Sequence, residues 1–206
     1  LIGNVHFSQE QVRVSCDRAI QFKTSGNVQL SGNVIVQDDS LTMKFPRGMY
    51  FRLERRAVAY DSVQLDDGRL LLTARFGEYL IEPKRAFFKT EVEAKDKDSK
   101  LNSDSLIYFR GQERIIAMSR VTIMSYADNI TMRGHHFESW RKQQYSRMTE
   151  KPVLVQLDSS AASGAVDTLV VRSIVMEAYR DSSRRLLATD SVEIVRADLA
   201  ATCGFA

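Results

Sequence analysis

The sequence predicts an all-β protein, an antiparallel meander of two-strand repeats that are each about 29 residues long and fold over themselves. Three observations predict this class. Apolar and polar residues alternate in short runs, one valine returns at a fixed interval, and two kinds of turn alternate between the runs. Only 3 prolines and 10 glycines interrupt the 206 residues, and 44% of the residues are hydrophobic. Such a chain can bury a sizeable core.

The interval is defined by two rows of residues. Five valines stand 29 residues apart: Val5, Val34, Val63, Val92 and Val121. Four aromatic residues keep the same interval: Tyr50, Tyr79, Tyr108 and Phe137. Because unrelated residue types share it, the period belongs to the fold and not to one motif.

Two turn sites divide each repeat. The first is acidic or small and falls at residues 38–39, 66–68, 95–99 and 127–129. The second is mostly basic and falls at residues 55–56, 84–85, 113–114 and 141–142. Two turns per repeat leave two strands of about ten residues joined as hairpins, which predicts antiparallel pairing.

A small or polar pair interrupts each strand halfway along. These pairs are Asp61-Ser62, Thr90-Glu91 and Ser119-Arg120. Residues 46–48, Gly77 and Gly134 hold a comparable place in the returning strands, where glycine and proline permit a bend. We expect a crease there, along which the sheet folds so that its apolar faces meet.

The spelling Gly-Asn-Val occurs twice in residues 25–34, with two predicted roles. One period after Gly26-Asn27 comes the basic turn at residues 55–56, so we expect the first copy in a hairpin turn. One period after Gly32-Asn33 comes Asp61-Ser62, so we expect the second copy at the crease.

After residue 150 the interval changes. The next equivalents are predicted to be Val153 and Val192, with a flexible insertion near residues 158–167 that lengthens one hairpin. We expect one domain over residues 1–206. The chain begins without methionine and both ends fall inside strand patterns, so we also expect a fragment of a longer protein.

Composition argues against several classes. The net charge of +3 is too small to predict a nucleic-acid partner, and no run approaches the roughly 20 apolar residues of a membrane-spanning helix. Cys16 and Cys203 lie far apart in an elongated array, so no internal disulfide is expected. Each follows a row valine by 11 residues, which predicts matching inward positions. Two interpretations of these matching positions stay open: the thiols are buried, or they form a covalent link between stacked copies.

The repeated Gly-Asn-Val or Asp-Ser-Val, followed by an alternating strand, an aromatic residue and a charged turn, resembles the OstA-like family of lipopolysaccharide transport. The copies begin at Gly3, Gly32, Asp61 and Asp190. The resemblance implies an open β-jellyroll in the Gram-negative periplasm, possessing no catalytic group and shielding acyl chains in an apolar groove. It also implies partners of the same fold, or further copies of the chain, that pair head to tail through the end strands.

The predicted groove residues lie on the apolar face of each repeat. They are Val34, Val36, Val63, Leu65, Val92, Val121, Ile123, Val153 and Val155. Two interpretations stay open, because inward valines of a folded sheet either contact a lipid or form an ordinary packed core.

The predicted head-group residues lie along the edge formed by the basic turns. They are Arg55, Arg56, Lys84, Arg85, Arg114 and Lys142. Such a row attracts phosphate groups, but exposed turns favour charged residues in any case. A set of solvated turns is therefore the alternative.

No cofactor, metal or catalytic site is predicted. The pairs at 38–39 and 66–67 are read as turn formers, and His6, His135 and His136 lack neighbouring ligands at metal spacing. A structural or carbohydrate-binding β-array with a closed core is the second hypothesis. A polysaccharide-acting enzyme on a parallel β-helix is the third, and the sequence shows no convergent carboxylates for it.

Overall fold

The computed structural model describes residues 1–158, 167–182 and 184–206. In these ranges it contains eighteen antiparallel β-strands and two 3-10 helices, which confirms the predicted all-β class. No helix in the described ranges is long and apolar enough to cross a bilayer. The chain divides into two compact units: unit 1 comprises Leu1–Asp96 and Ser105–Gly111, and unit 2 comprises Lys97–Asp104 and Gln112–Ala206.

Unit 1 is built from nine whole strands and the end of a tenth. They are β1 (Ile2–Gln9), β2 (Val12–Gln21), β3 (Val28–Asp38), β4 (Leu41–Phe51), β5 (Arg56–Tyr60), β6 (Val63–Asp66), β7 (Leu71–Ala74), β8 (Phe76–Leu80), β9 (Arg85–Lys95) and β10 (Ser99–Phe109). Strand β4 pairs with both β5 and β6 because the crease divides the strand that lies opposite. The other divided strand, β7 and β8, pairs with β9 in the same way.

The two predicted turn types both form in unit 1. β3 ends at Asp38 and β6 at Asp66, each at an acidic turn, while β5 and β9 begin at the basic turns, at Arg56 and Arg85. Each turn uses a residue with positive φ, such as Asp39 at 57° and Lys84 at 59°. Asp66 and Asp67 accept hydrogen bonds from main-chain N–H groups within their own turn, which confirms the turn-forming role of this pair.

The crease is a row of residues held in the left-handed backbone region. In unit 1 these are Gly3 and Asn4, Gly32 and Asn33, Asp61, and Thr90 and Glu91, which recur at the predicted interval. The register between β3 and β4 shifts at this point, between Ser31 and Val34. Gly26 also has a positive φ but lies in the turn between β2 and β3, so both predicted roles of the Gly-Asn-Val doublet are confirmed.

Exposed side-chain pairs accompany the crease of unit 1. Asn33 donates to Asp17 across 2.9 Å, Arg75 donates to Glu91 across 2.7 Å, and Arg47 donates to Asp61. Solvent screens these pairs, so we expect them to specify local geometry more than to stabilise the fold.

The core of unit 1 lies between the faces that the crease brings together. Gly48 leaves no room for a side chain beside the neighbouring strand, since an added Cβ would lie 2.1 Å from the carbonyl oxygen of Val58 on β5. Leu30, Met43, Leu65 and Leu72 are fully buried on this face. Alternation along each strand sends every second side chain inward, as the sequence predicts.

Unit 2 contains the remaining strands. They are β11 (Arg114–Ser125), β12 (Ile130–Trp140), β13 (Tyr145–Thr149), β14 (Val153–Asp158), β15 (Asp167–Arg172), β16 (Val175–Tyr179), β17 (Arg185–Arg196) and β18 (Leu199–Phe205). The 3-10 helices Arg110–Gln112 and Arg141–Gln143 precede β11 and β13. A core cluster of Leu154, Val171, Met176, Ala188 and Val192 holds β14 to β17 together.

The alignment of the sixth repeat is corrected by the structure. Its crease falls at Glu150 and Lys151, so the buried residue that follows the crease is Pro152 and not Val153. The interval from Val121 is thus 31 residues instead of 29, because this repeat is longer. The inward alternation runs from Pro152, so Leu154, two residues later, is the buried residue of β14. The predicted insertion near 158–167 falls mostly on residues 159–166, which lie outside the described residues.

Candidate functional site

The predicted groove residues of unit 1 line its interior and are buried. Val34, Val36, Val63, Leu65 and Val92 are each at most 1% exposed. A side chain this buried has protein atoms on all sides. In this conformation the interior around these five residues is therefore a filled core.

In unit 2 the predicted groove residues separate into two groups. Val121 and Ile123 are buried. Val153 and Val155 are half-buried, and alternation places them on the face of β14 opposite to Leu154. The core of unit 2 thus receives two of the four.

Three tyrosine hydroxyl groups of unit 1 make hydrogen bonds that repeat along the unit, away from the crease. Tyr50 donates to Gln9 across 3.2 Å, Tyr79 to Asp38 across 2.7 Å, and Tyr108 to Asp67 across 2.5 Å. The partners are 41 residues apart in each pair. We call these three pairs the tyrosine seam.

Two arginines reinforce the tyrosine seam. Arg110, whose side chain is 12% exposed, reaches the second pair, donating to the main-chain oxygen of Asp38 at 3.4 Å and to the hydroxyl of Ser40 at 2.8 Å. Arg55 reaches back to Glu10, donating across 2.9 Å beside the first pair. Both arginines join the acidic-turn side of the sheet to the basic-turn side.

The environment of the seam favours neutral phenols. Burial, followed by the hydrogen bond to Asp38, raises the pKa of Tyr79 well above its ordinary value. Burial also raises the pKa of Tyr50. Both hydroxyl groups therefore stay protonated and able to donate over the physiological range.

The seam follows from two rows that the sequence displays separately. The tyrosines end the inward alternation of the strands before the basic turns, and Gln9, Asp38 and Asp67 end it at the acidic turns. Because both rows have the same period, one contact between them repeats along the unit. The tyrosine row and the acidic turns that hold Asp38 and Asp67 were predicted from the sequence, but Gln9 was missed and the rows were not paired, although their shared period was an available signal.

A cavity of about 540 Å³ adjoins the first pair of the seam. Its apolar lining includes Leu1, Phe7, Ala19 and Val28, together with the ring of Tyr50. Gln9 and Arg52 add polar groups. This volume and this mixture of apolar walls with a few polar groups are typical of small-molecule sites.

A second concavity, of about 440 Å³, lies on the other face of β1 to β3. Its lining includes the polar side chains of His6, Ser8, Arg13 and Gln37. Phe7, Val14 and Ile35 supply its apolar lining, and it is smaller and more open than the first cavity, so we take the 540 Å³ cavity as the candidate site.

Comparison with known proteins bears on the part of the chain that contains this site. Residues 1–89 match the family model of OstA-like proteins. The match confirms, for those residues, the resemblance predicted from the repeated Gly-Asn-Val pattern. The OstA-like segment includes the whole cavity lining and the first two pairs of the seam.

The chain was also compared with solved structures and with curated proteins. The chain is similar to LptH of Pseudomonas aeruginosa, the periplasmic component of the lipopolysaccharide transport device that is homologous to LptA. The sequence identity is 17% and the TM-score 0.31, and the alignment covers 77% of this chain and 94% of that chain. A search of curated proteins finds no match.

The predicted basic row lies partly in the OstA-like segment, and several of its members are engaged by carboxylates. Arg55 bonds Glu82 as well as Glu10, and Arg56 bonds Glu54 and Glu78 while its guanidinium lies 4.0 Å from the ring centroid of Phe51. Lys84 and Arg85 are exposed in the following turn.

Beyond the OstA-like segment, Arg114 and Lys142 continue this row. Arg114 donates to Glu138, and its guanidinium lies 5.1 Å from the ring centroid of Trp140. Arg114, Trp140 and Tyr145 lie opposite one another on three neighbouring strands. Lys142 is exposed. Arg55, Arg56 and Arg114 thus act in local ion pairs and ring contacts, whereas Lys84, Arg85 and Lys142 are exposed.

The cysteines and the candidate metal ligands complete the description of the predicted sites. Cys16 stands opposite Val5, and Cys203 opposite Val192, which confirms that they hold matching positions in the repeat. Cys16 is buried and Cys203 exposed, and both are free thiols. Within the part of the chain that the structure describes, no group of three or more His, Cys, Asp or Glu could hold a metal ion.

Proposed function

We propose that the chain is a non-catalytic binding module for an amphipathic lipid of the lipopolysaccharide class, acting in the Gram-negative periplasm. The observation that carries the proposal is the apolar cavity on the inner face of unit 1, inside the segment that matches the OstA-like family. An acyl chain is the ligand that fits it best, because the walls are mainly apolar and one of the few polar groups, Gln9, is already bonded to Tyr50.

The energetics of this cavity suit a chain ligand. Each methylene group moved out of water contributes about 0.8 kcal/mol, so a cavity that holds several of them binds without any specific bond. Arg52 supplies a cationic group beside the apolar walls. It is placed to pair with an anionic head group while the acyl chain lies along Phe7 and Val28.

The remaining predicted residues enter this proposal in a second role. The packed valines of unit 1 contact lipid only when the interior opens beyond the cavity. The exposed cations Lys84, Arg85 and Lys142 are then further head-group contacts, while Arg55, Arg56 and Arg114 mainly hold their own carboxylate partners.

The proposed partners are proteins of the same fold, or further copies of this chain. Strand β1 pairs with β2 and strand β18 pairs with β17, both antiparallel. Addition of a partner strand to β1 or β18 would continue the same ladder and place one apolar inner face after another.

A second function is favoured by the filled core. A structural or carbohydrate-binding β-array needs a closed, packed interior, and the five groove residues of unit 1 are packed in this way. This hypothesis predicts that no lipid reaches the inner face.

Photo-crosslinking from one matched pair of neighbours tests the proposal. A photoreactive amino acid replaces Val28, which lines the cavity, or Gln29, which is exposed and points to the other face. The protein is expressed in cells that make labelled lipopolysaccharide. We expect crosslinks from position 28 at about tenfold or more the yield from position 29, since an adjacent strand residue faces away.

Equal yields from both positions would exclude the cavity as the lipid site. No crosslink from either position, in protein that remains folded, would favour the closed array.

A matched charge test uses Arg52→Gln: we expect weaker binding of an anionic lipid and unchanged binding of an uncharged alcohol of equal chain length. Equal loss for both ligands would contradict the head-group role of Arg52.

A further inference from the structure

The tyrosine seam joins the two sides of unit 1 that no strand pairing joins at that point. The crease closes one side of the interior by a continuous backbone. On the other side the acidic turns and the basic turns belong to opposite halves of the folded sheet. Side-chain bonds from Tyr50, Tyr79 and Tyr108 connect these halves.

The three pairs of the seam differ in strength along the unit. Gln9 is a neutral, half-buried acceptor at 3.2 Å from Tyr50. Asp38 is 3% exposed and accepts from Tyr79 at 2.7 Å, with Arg110 beside it. Hydrogen bonds to a charged acceptor are roughly twice as strong as neutral ones. The first pair is therefore the weakest of the three.

The weakest pair is also the one at the cavity. Gln9 and Tyr50 both line it, and the ring of Phe7 lies 6.0 Å from the ring of Tyr50. Moving apart at this pair enlarges an existing space, whereas opening at Asp38 would expose Val36, which is fully buried. Packing and hydrogen bonding thus both favour opening at the Gln9–Tyr50 pair.

We propose that the tyrosine seam is a lateral closure of the inner face, which opens at Gln9–Tyr50 beside the cavity while the Asp38–Tyr79 and Asp67–Tyr108 pairs hold the rest of the interior shut. An apolar chain enters sideways at the first pair. The identity of that chain rests on the proposed function, but the opening itself is a property of the protein without ligand.

Thiol labelling in lipid-free buffer measures the opening. In a Cys16→Ser, Cys203→Ser background, Val36→Cys reports on the interior next to Asp38, and Val63→Cys reports on the buried position after the crease. We expect Tyr79→Phe to accelerate maleimide labelling of the Val36→Cys reporter about tenfold or more, because a bond to a carboxylate is lost. Labelling of the Val63→Cys reporter should change less than about twofold, since this site opens only with the whole unit.

The Gln9–Tyr50 pair is tested by strengthening its hydrogen bond. Gln9→Glu keeps the shape of the acceptor and adds a charge, so we expect slower labelling of a Val28→Cys reporter in the cavity, by about threefold or more. Tyr50→Phe should accelerate labelling of the same reporter and leave the Val36→Cys reporter nearly unchanged. If Tyr79→Phe does not fold, Asp38→Asn is measured in its place, with the same expected direction.

Three outcomes would overturn the proposal. Equal acceleration at positions 36 and 63 would mean that the seam stabilises the unit globally and closes nothing locally. No acceleration at position 36 would mean that packing alone shuts the interior. Faster or unchanged labelling of the cavity reporter with Gln9→Glu would contradict opening at the first pair. Absence of lipid crosslinks from position 28 would instead count against the proposed function and leave these rates unaffected.

Discussion

The hydroxyl group of Tyr79 donates a hydrogen bond to Asp38 across 2.7 Å, between residues that are 41 positions apart and both buried. One period earlier, Tyr50 meets Gln9 in the same way. A contact that repeats with the period of the sheet holds its two halves together at every repeat of unit 1. Its loss at one position therefore has local and measurable consequences.

The first prediction concerns stability. Tyr79→Phe should lower the free energy of unfolding of unit 1 by about 1.5–3 kcal/mol, because a buried carboxylate loses a hydrogen-bond donor. The measurement is urea denaturation monitored by far-UV circular dichroism. The control is Tyr60→Phe, at a tyrosine that is 38% exposed, for which we expect a change within about 0.5 kcal/mol. Similar losses in both variants would show that the Tyr79 hydroxyl has no special role.

The second prediction concerns alkaline pH. The pKa of Tyr79 is raised above its ordinary value of 10.0 by burial and by Asp38, so the unfolded chain releases this proton at lower pH than the folded protein does. The contribution is complete below pH 10 and declines as pH rises above it. We expect the stability of the wild-type protein to fall above that pH, and the fall to be shallower in Tyr79→Phe. Parallel pH profiles for the two proteins would contradict the coupling.

The third prediction concerns backbone strain at the crease. Thr90 is β-branched and has a φ of 69°, a region that costs an ordinary residue about 1–2 kcal/mol. Thr90→Gly removes that cost but adds about 0.5–1 kcal/mol of chain entropy, so a net gain in stability of about 0.5 kcal/mol is expected. Thr73→Gly is the matched control in a regular part of β7, where stability should decrease. A loss at both positions would mean that Thr90 is not strained.

The fourth prediction concerns pairing between copies. Cys203 lies opposite Val192, just as Cys16 lies opposite Val5. The two cysteines therefore hold equivalent positions in their repeats. If β18 of one copy pairs with β1 of the next and continues the ladder, Cys203 comes opposite Val5 of that next copy. In a Cys16→Ser background, Val5→Cys should then form disulfide-linked chains on mild oxidation, within the roughly 7 Å that a disulfide spans.

The control for this pairing is His6→Cys, whose side chain points to the other face of β1. Crosslinking should also disappear when Cys203→Ser is combined with Val5→Cys. Equal crosslinking from positions 5 and 6 would indicate random collision and would exclude the predicted register.

The sequence by itself determined the period, the two turn types, the crease and the inward face of the first five repeats. Each of these depends on local chemistry: alternation selects a strand face, and Gly, Asn and Asp tolerate the left-handed backbone at Gly32, Asn33 and Asp61. These signals extend over a few residues and repeat, so they can be read without knowing what lies across the fold.

The tertiary structure decided what the inward residues do. Whether Val36 and Leu65 line an open groove or a filled core depends on how far the two halves of the sheet approach, and they approach closely enough to bury both. The bond between Tyr79 and Asp38 joins residues 41 positions apart, which alternation along one strand cannot reveal. In the sixth repeat the crease at Glu150 and Lys151 places Pro152, and not Val153, in the valine row, and because the side-chain period of a strand is two, Leu154 then lies in the core.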